Sequence, residues 1–563
     1  MNSPTPNKGA YMEKIWLKSY PKGMPAEIDV GAYASVVEVF EKSVAKYRDK
    51  PAYANFGTTI SYDELDRLTR DLAAYLQQGL GLKQGDRVAI MMPNLLQNAI
   101  SIFAVLRAGL IVVNTNPLYT ARELRHQLKD SGATAIIILE NFANVLQQIV
   151  GDTDIKHVIV TRMGDCLKFP KSALLNLVVK HVKKMVPPFS LPSAIDFKSA
   201  LKSGAGLSLT RTVLNHDDIA FLQYTGGTTG VAKGAILTHG NIVANLQQAS
   251  AWISSVVEEG KEIIITALPL YHIFSLTANC LIFMKLGALN YLITNPRDMK
   301  NFVKELKSVP FTAITGVNTL FNGLLHTEGF TDVDFSHLKL TLGGGMAVQK
   351  PVADKWQEVT GCTLVEAYGL TETSPAACIN PMDLKAYNGM IGLPISSTEA
   401  SIQDDNHKEL PLGEAGELCI RGPQVTKGYW NHPDETAKAF TKDGWFMTGD
   451  IAVMNEQGFV KIVDRKKDMI NVSGFNVYPN EIEEVLAEHP GILEVGAIGV
   501  PDEHSSEVVK VVVVRKDPNL TEEDVRKYAR QNLTNYKVPQ YIEFREELPK
   551  TNVGKILRRA LKD

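Results

Sequence analysis

Cysteine is scarce in this 563-residue chain: Cys166, Cys280, Cys362, Cys378 and Cys419 stand far apart, with no C-x-x-C pair. That scatter argues against a disulfide framework and a structural zinc site, and leaves small reduced core thiols. No apolar run reaches the roughly 20 residues that a bilayer span needs. The N-terminal "MNSPTPNKGAYMEKIW" lacks the apolar core of a secretory signal. An excess of one charge is also missing: 59 Lys plus Arg against 62 Asp plus Glu give a net −3. Nucleic-acid binders usually carry a basic patch, so no nucleic-acid partner is expected. There is no internal repeat and no low-complexity tract. One more absence is local. In "YTGGTTGVAKGA" (Tyr224 to Ala235), Lys233 follows Ala232 and precedes Gly234, so the G-x-x-x-x-G-K-[ST] phosphate loop is not there.

What is present is a chain 45% hydrophobic, with material for a large core and, by length, about three or four structural units. Apolar strand-like runs alternate with helical patterns over most of it, as in α/β folds. In "SYDELDRLTRDLAAYL", Ser61 and Glu64 form a capping-box pattern, and Tyr62, Leu65, Leu68 or Thr69, Leu72 and Leu76 recur at helical spacing. "DRVAIMMPN", "ATAIIIL", "EIIITALPLYHIF", "PFTAITGV" and "HLKLTLGGG" read as buried strands, several of them ending in glycine or polar turns. In open α/β sheets ligands bind at the carboxyl ends of strands, so those turns are where chemistry is sought. From about Ile395 the texture changes to short antiparallel strands, a small barrel-like subdomain. The charge-rich "DRKKDMI" connects it to a last block that reads as a separate α+β domain. The expected fold is α/β: a large N-terminal domain over 1–463, a hinge at 464–468 and a small mobile α+β domain over 469–563.

"SALLNLVVKHVKKMVPPF" (Ser172 to Phe189) mixes Leu174, Leu175, Leu177, Val178, Val179, Val182 and Met185 with Lys180, Lys183 and Lys184. Such a basic amphipathic segment can lie on an anionic membrane surface. An ordinary surface helix is the favoured reading, because globular helices commonly look like this.

Four stretches carry chemistry. In the opening loop, Gly226, Gly227 and Gly230 let the backbone turn tightly and present N–H groups to phosphate oxygens. Thr225, Thr228 and Thr229 add hydroxyls and Lys233 a charge. "EAYGLTETSP" supplies an aromatic, Tyr368, that can stack on a base, and a carboxylate, Glu372, suited to Mg²⁺. "GWFMTGD" ends in Asp450, which can accept from ribose hydroxyls. "PKTNVGKILRR" sets Lys555 on a glycine turn, where it would stabilise charge on a reacting phosphate.

Together, and in this order along nearly the whole chain, "YTGGTTGVAKG", "YGLTE", "TGD", "DRKKDMI" and "PKTNVGK" resemble the adenylate-forming superfamily of acyl-CoA synthetases, peptide-synthetase adenylation domains and luciferases. "DGWFMTGDIAVMNEQGFVKIVDRKK" is similar to the fatty-acyl-CoA synthetase signature, and "TALPLYHIF", "LITNPRD" and "DRKKDMINVSGFNVYPNEIE" to bacterial long-chain-fatty-acid–CoA ligases. The resemblance implies a two-step reaction. A carboxylate attacks the α-phosphate of Mg-ATP to give acyl-adenylate and pyrophosphate; the thiol of coenzyme A then displaces AMP. Long-chain acyl-CoA would feed fatty acid degradation or lipid synthesis.

The same resemblance assigns roles. Tyr224, Thr225, Gly226, Gly227, Thr228, Thr229, Gly230 and Lys233 are expected at the β- and γ-phosphates, with Thr225 and Glu372 holding Mg²⁺. Ala367, Tyr368, Gly369 and Ile273 would line the nucleotide, with Thr371 near the α-phosphate, Asp450 on the ribose and Arg465 supporting it. Lys555 would reach the α-phosphate. His272 would sit between acyl tunnel and nucleotide, with Leu276 at the gate and Gly316, Val317 and Gly344 along the tunnel. Lys467 matches the hinge about which the small domain rotates, bringing Gly474 and Asn476 to the CoA channel. Where some members carry Trp, Arg or Lys in or before that strip, this chain has Asn471 and Asn476, so a direct charge contact to CoA is in doubt. The expected partners are a long-chain fatty acid, ATP and CoA. A cytoplasmic location, peripheral inner-membrane association and a homodimer are further expectations. Rival readings are a ligase for a medium-chain, aryl or amino acid, and a non-catalytic nucleotide- or acyl-binding protein.

Overall fold

Helix starts are written locally. The Ser61 hydroxyl accepts the Glu64 N–H and opens the helix Tyr62–Ala74, which buries Tyr62, Leu65, Thr69 and Leu72 on one face. The capping box is half made there, since only that one bond is formed; Thr238 and Asn241 make both bonds ahead of the helix His239–Ile253. The helix Leu96–Arg107 is buried over nearly its whole circumference, and its buried polar side chains Gln97, Asn98 and Ser101 each donate to a backbone carbonyl.

The computed structural model describes residues 14–225, 232–473, 475–502, 505–551 and 554–562. Among these, two large sheets dominate. A seven-stranded sheet runs, in spatial order, Ile195–Asp196, His157–Thr161, Ala135–Leu139, Arg87–Met91, Ile111–Asn114, Ile219–Thr225 and Lys233–Thr238, parallel except for the last pair. A nine-stranded sheet has Leu364–Gly369, Leu340–Gly344, Ala313–Gly316 and Ile263–Thr266 as parallel neighbours near its middle. Strands such as Ala135–Leu139 and Leu340–Gly344 are buried at every position, because helices cover both faces of a parallel sheet. The helix His239–Ile253 sits in the core between the sheets, with Trp252 donating its indole N–H to Asn380 O at 2.8 Å.

The stretch expected to be barrel-like is a four-stranded antiparallel sheet, Glu399–Gln403, Gly416–Arg421, Phe446–Met454 and Val460–Arg465. The last block builds a five-stranded sheet around the long hairpin Ile492–Asp502 and Ser506–Arg515. Its core of Ile482, Leu486, Val511, Val513, Val525 and Ala529 joins that sheet to the helices Pro479–Ala487 and Glu522–Asn532.

The basic amphipathic segment forms the helix Lys171–Leu177 and a π-helical turn, Val178–Val182. Among the described residues, four of the eleven exposed large hydrophobics fall here, Leu174, Leu177, Val182 and Met185, and a fifth, Phe169, lies just before the segment. Lys180, Lys183 and Lys184 are exposed beside them. A surface helix that served only the core would turn those side chains inward. Among the described residues no helix is long and apolar enough to cross a membrane.

Candidate active site

A cavity of about 1030 Å³ is lined by strand-end turns of both large sheets and by residues of the four-stranded sheet and the C-terminal segment. Thr225, Lys233, His272, Ile273, Gly344, Ala367, Tyr368, Gly369, Thr371, Glu372, Asp450, Arg465, Lys467 and Lys555 all line it, as does Tyr224. They come from seven separate stretches of sequence: 224–233, 272–273, 344, 367–372, 450, 465–467 and 555. Gly226, Gly227, Thr228, Thr229 and Gly230 of the loop, and Gly474 of the later strip, lie outside the described residues.

Thr225 and Lys233 are opposite each other across an antiparallel pair, which fixes both ends of the glycine-rich loop. Tyr224 is tied down by its hydroxyl, 2.6 Å from Asp130 Oδ2. Lys233 Nζ binds the Glu435 carboxylate and lies 5.1 Å from the centre of the Tyr429 ring. The Lys233 and Lys438 ammonium groups pull the Glu435 carboxyl down to about 2. The Tyr429 hydroxyl donates to Glu372 Oε1 at 2.7 Å. Tyr429 therefore orients the carboxylate and faces the lysine at once, a role the sequence reading missed. Its flag was the aromatic pair in "KGYW".

On the opposite wall, Asp450 is almost fully buried and takes Arg465 Nε at 2.7 Å on one oxygen and the Tyr368 hydroxyl on the other. Burial pushes its carboxyl up, and Arg465 and Tyr368 oppose that. Gly369 has no substitute: a Cβ there would stand 1.9 Å from Pro375 O. Glu366, one residue before Ala367, is driven up to about 8 by burial, although Tyr387 and the Val348 N–H bind it. It braces the loop before Gln349 against the strand Leu364–Gly369.

His272 is held down at about 3 by burial and by the nearby Lys555 charge, so its ring is neutral. Its Nδ1 accepts the Phe274 N–H at 3.3 Å, which leaves the ring proton on Nε2. Lys555 reaches the cavity under Gly345, a positive-φ residue (φ +79°) whose added Cβ would lie 3.4 Å from Lys555 Cε. Burial and Arg465 push the Lys555 ammonium down to about 8, against the pull of Asp450 and Glu372.

From His272 the cavity continues between apolar and small side chains: Ala249, Ile253, Thr277, Ala278, Ile282 and Phe283. Gly344 lines this side; Leu276, Gly316 and Val317 are buried but do not line the cavity. The physical reason at Leu276 is the π-helical turn Leu276–Leu281, which turns Leu276 into the core and presents Thr277 and Ala278 instead. A Cβ on Gly316 would meet the Phe321 ring at 2.7 Å, so that glycine is needed for packing. Asn476 is exposed on the strand Phe475–Val477 and also stands apart from the cavity.

For Mg²⁺, the fit rests on hard oxygens. Glu372 and Thr225 share the cavity wall, and among the described residues no donor meets the second oxygen of Glu372. Among the described residues no cluster of three His, Cys, Asp or Glu forms an all-protein metal cage. That suits an ion held by one or two protein oxygens together with phosphates.

Two α/β sheets, a small antiparallel sheet and an α+β unit that lowers a lysine into their shared cavity define an adenylate-forming enzyme. The chain belongs to the AMP-binding enzyme family: residues 40–430 match the AMP-binding enzyme domain and residues 481–555 the AMP-binding enzyme C-terminal domain. It is 58% identical to a long-chain-fatty-acid–CoA ligase of Escherichia coli O6:H1 over 98% of both chains. It is 41% identical to the protein of the same name from Bacillus subtilis, again over 98% of each. Among solved structures, ATP-bound MatB from Rhodopseudomonas palustris is similar at TM-score 0.77 and 27% identity, covering 93% of this chain and 98% of that one. An anthranilate CoA ligase with anthranoyl-AMP superposes at TM-score 0.83 over 95% and 98% of the two chains; at 22% identity that likeness speaks to fold alone.

Proposed function

We propose that the protein is a long-chain fatty acid–CoA ligase that forms an acyl-adenylate and then a thioester. The observation that carries the reading is the continuity of the cavity, from the polar end at Thr225, Glu372, Asp450 and Lys555 to the apolar end at Ile253, Ile282 and Phe283. Near-full-length identity to proteins named as long-chain-fatty-acid–CoA ligases supports the same substrate class.

The fatty acid lies with its chain along Ala249, Ile253 and Ile282 and its carboxylate near His272 Nε2–H, which donates to one oxygen and fixes the other for attack. ATP lies with its ribose at Asp450, its base along Ala367 and Tyr368, and its terminal phosphates at Thr225 and Lys233. Glu372 and Thr225 would hold Mg²⁺, which supplies charge neutralisation between the phosphates. As the carboxylate oxygen bonds to the α-phosphorus, the bond to the bridging α–β oxygen breaks and pyrophosphate departs with the electron pair. Lys555 meets the charge that develops on the α-phosphate oxygens, a stabilisation strongest in a site closed to water. In the second step the CoA sulfur attacks the acyl carbon, AMP leaves, and the thiol proton goes to solvent.

The connector at 464–468 is the hinge in this reading, with Lys467 at its centre. Lys555 must withdraw before the thiol can reach the acyl carbon, and rotation of residues 469–563 lets one cavity serve both steps. The exposed apolar and lysine side chains of 169–185 support a peripheral position on an anionic, cytoplasmic membrane face, where an apolar substrate accumulates.

The decisive experiment is pyrophosphate release from the purified protein with fatty acids of increasing length, with and without CoA. Long-chain acids should give the highest kcat/KM, and acyl-CoA should form only when CoA is present. Preference for a benzoate or a short acid would move the protein to another ligase class.

A further inference from the structure

Three residues beyond Lys555, Arg558 sits in what the sequence presents as a plain basic tail, "KILRR". It is not solvated. Its Nε and Nη2 donate to the two oxygens of Glu483 at 3.0 and 2.8 Å, and Nη2 also bonds Asn480 Oδ1. Nη1 lies 3.0 Å from Asp464 Oδ1 and 3.4 Å from Asp468 Oδ2. Asp464 is fully buried and is the penultimate residue of the strand Val460–Arg465, one residue before the arginine that holds Asp450. Its carboxylate also accepts the Asn480 N–H at 2.7 Å and the Arg465 N–H at 2.7 Å.

These partners lie at the start of the connector and beyond it. Glu483 is on the helix Pro479–Ala487 and accepts the Ala497 N–H at 2.8 Å, so it belongs to the C-terminal unit. Asp464 belongs to the four-stranded sheet. At the other end of the Lys555 turn, the Thr319 hydroxyl donates to Gly554 O at 2.8 Å. Lys555 is therefore pinned on both flanks. Gly554 is fixed to the helix Asn318–Leu325, and Arg558 bridges the C-terminal unit to Asp464.

We propose that Arg558 is a positioning residue: its pairing with Asp464 across the connector holds Lys555 in the cavity for adenylation and is released before the thioester step. The inference rests on the two-step reading above. Arg558 keeps Glu483 wherever the small unit goes, so the contact that can switch is the one to Asp464. Rotation must then trade a buried ion pair for water, which makes Asp464 a selective stabiliser of the adenylation arrangement.

The test uses the full-length protein and separates the half-reactions: ATP–pyrophosphate exchange with oleate, and thioester formation from supplied oleoyl-adenylate plus CoA. Arg558→Ala and Asp464→Asn should each slow exchange by about ten- to a hundredfold, the scale of a small misplacement of a catalytic group. Thioester formation should change less than about threefold. The double variant should lose no more than the worse single variant, and Arg558→Lys should recover part of the exchange rate. Asp464→Asn keeps the side-chain shape, so a melting curve unlike the native one in Arg558→Ala alone does not spoil the test. Equal loss in both half-reactions, or additive losses in the double variant, would overturn the proposal. Absence of exchange in the native protein with every fatty acid would instead sink the ligase reading on which it rests.

Discussion

Lys555 enters the cavity with its ammonium pushed from 10.5 down to about 8, because burial strips it of water and Arg465 repels it. If only the charged form meets the α-phosphate, adenylation must fail as pH rises through that range. At about pH 9.5 a lysine titrating at about 8 is roughly 3% protonated, against roughly 90% for one left at 10.5. The kcat/KM for ATP in pyrophosphate exchange should therefore fall about thirtyfold between about pH 7 and pH 9.5. Bound ATP brings negative charge to the same place, so the inflection in kcat, which reports the complex, should lie higher than that in kcat/KM. Thioester formation from supplied acyl-adenylate should instead rise over the same range, because more of the CoA thiol is thiolate. Lys555→Arg, charged at every pH tested, should retain measurable exchange without the alkaline inflection; Lys555→Ala sets the floor. Stability runs the opposite way. Since the folded value lies below the unfolded one, the charged lysine costs the fold stability below about 8, and that cost is relieved as pH rises toward 10.5. A native profile flat to about pH 9.5, or the same inflection in Lys555→Arg, would refute the reasoning.

Two further outcomes are expected. Tyr429→Phe removes the hydroxyl that Glu372 accepts at 2.7 Å. It should raise the Mg²⁺ concentration for half-maximal exchange by about three- to tenfold, roughly the weight of one hydrogen bond, with the KM for oleate unchanged; an unaltered magnesium titration removes Tyr429 from the metal side of the site. In flotation with vesicles containing anionic lipid, the native protein should rise with the vesicles and release as salt is added. Charge reversal at Lys180, Lys183 and Lys184 should leave it at the bottom; undiminished flotation counts against the membrane surface.

What sequence made legible follows from how local each signal is. The buried strands could be read because a strand covered on both faces is apolar at every position, as Ala135–Leu139 is. The turns at their ends could be read because glycine and hydroxyl residues cluster there. The side chains that set those groups in place were hidden, since their partners are remote. Tyr429 and Glu372 are 57 residues apart, Arg558 and Asp464 94, and Lys233 and Glu435 202. No periodicity or spacing rule connects such pairs; only the fold does. Leu276 shows a different limit. A helical period of 3.6 assigns each side chain a face, and one π-helical turn shifts that face by part of a residue. The amphipathic segment shows a third. Its pattern reads first as an ordinary surface helix, and only the fold reveals that Leu174, Leu177 and Val182 are exposed.

The opening puzzle of a phosphate loop without G-K-[ST] resolves through charge balance around the cavity. Lys233 is bound to Glu435 and Arg465 to Asp450, so two of the cations lining the cavity have carboxylate partners. Lys555, among the described residues, has no carboxylate at ion-pair distance, and it is the one whose charge is pushed down by burial and by Arg465. A triphosphate entering this site gains little from Lys233 until Glu435 is displaced, because the two charges already cancel. It gains most from Lys555, whose desolvation cost is offset only by an anion. With ATP placed as proposed, the binding strength of the terminal phosphates is moderated at the loop, while the largest electrostatic gain is kept for the α-phosphate. That distribution suits an enzyme that must release pyrophosphate after one bond is made: a loop lysine with its own counter-ion lets the leaving group go, and a lysine on a movable segment acts where the bond changes.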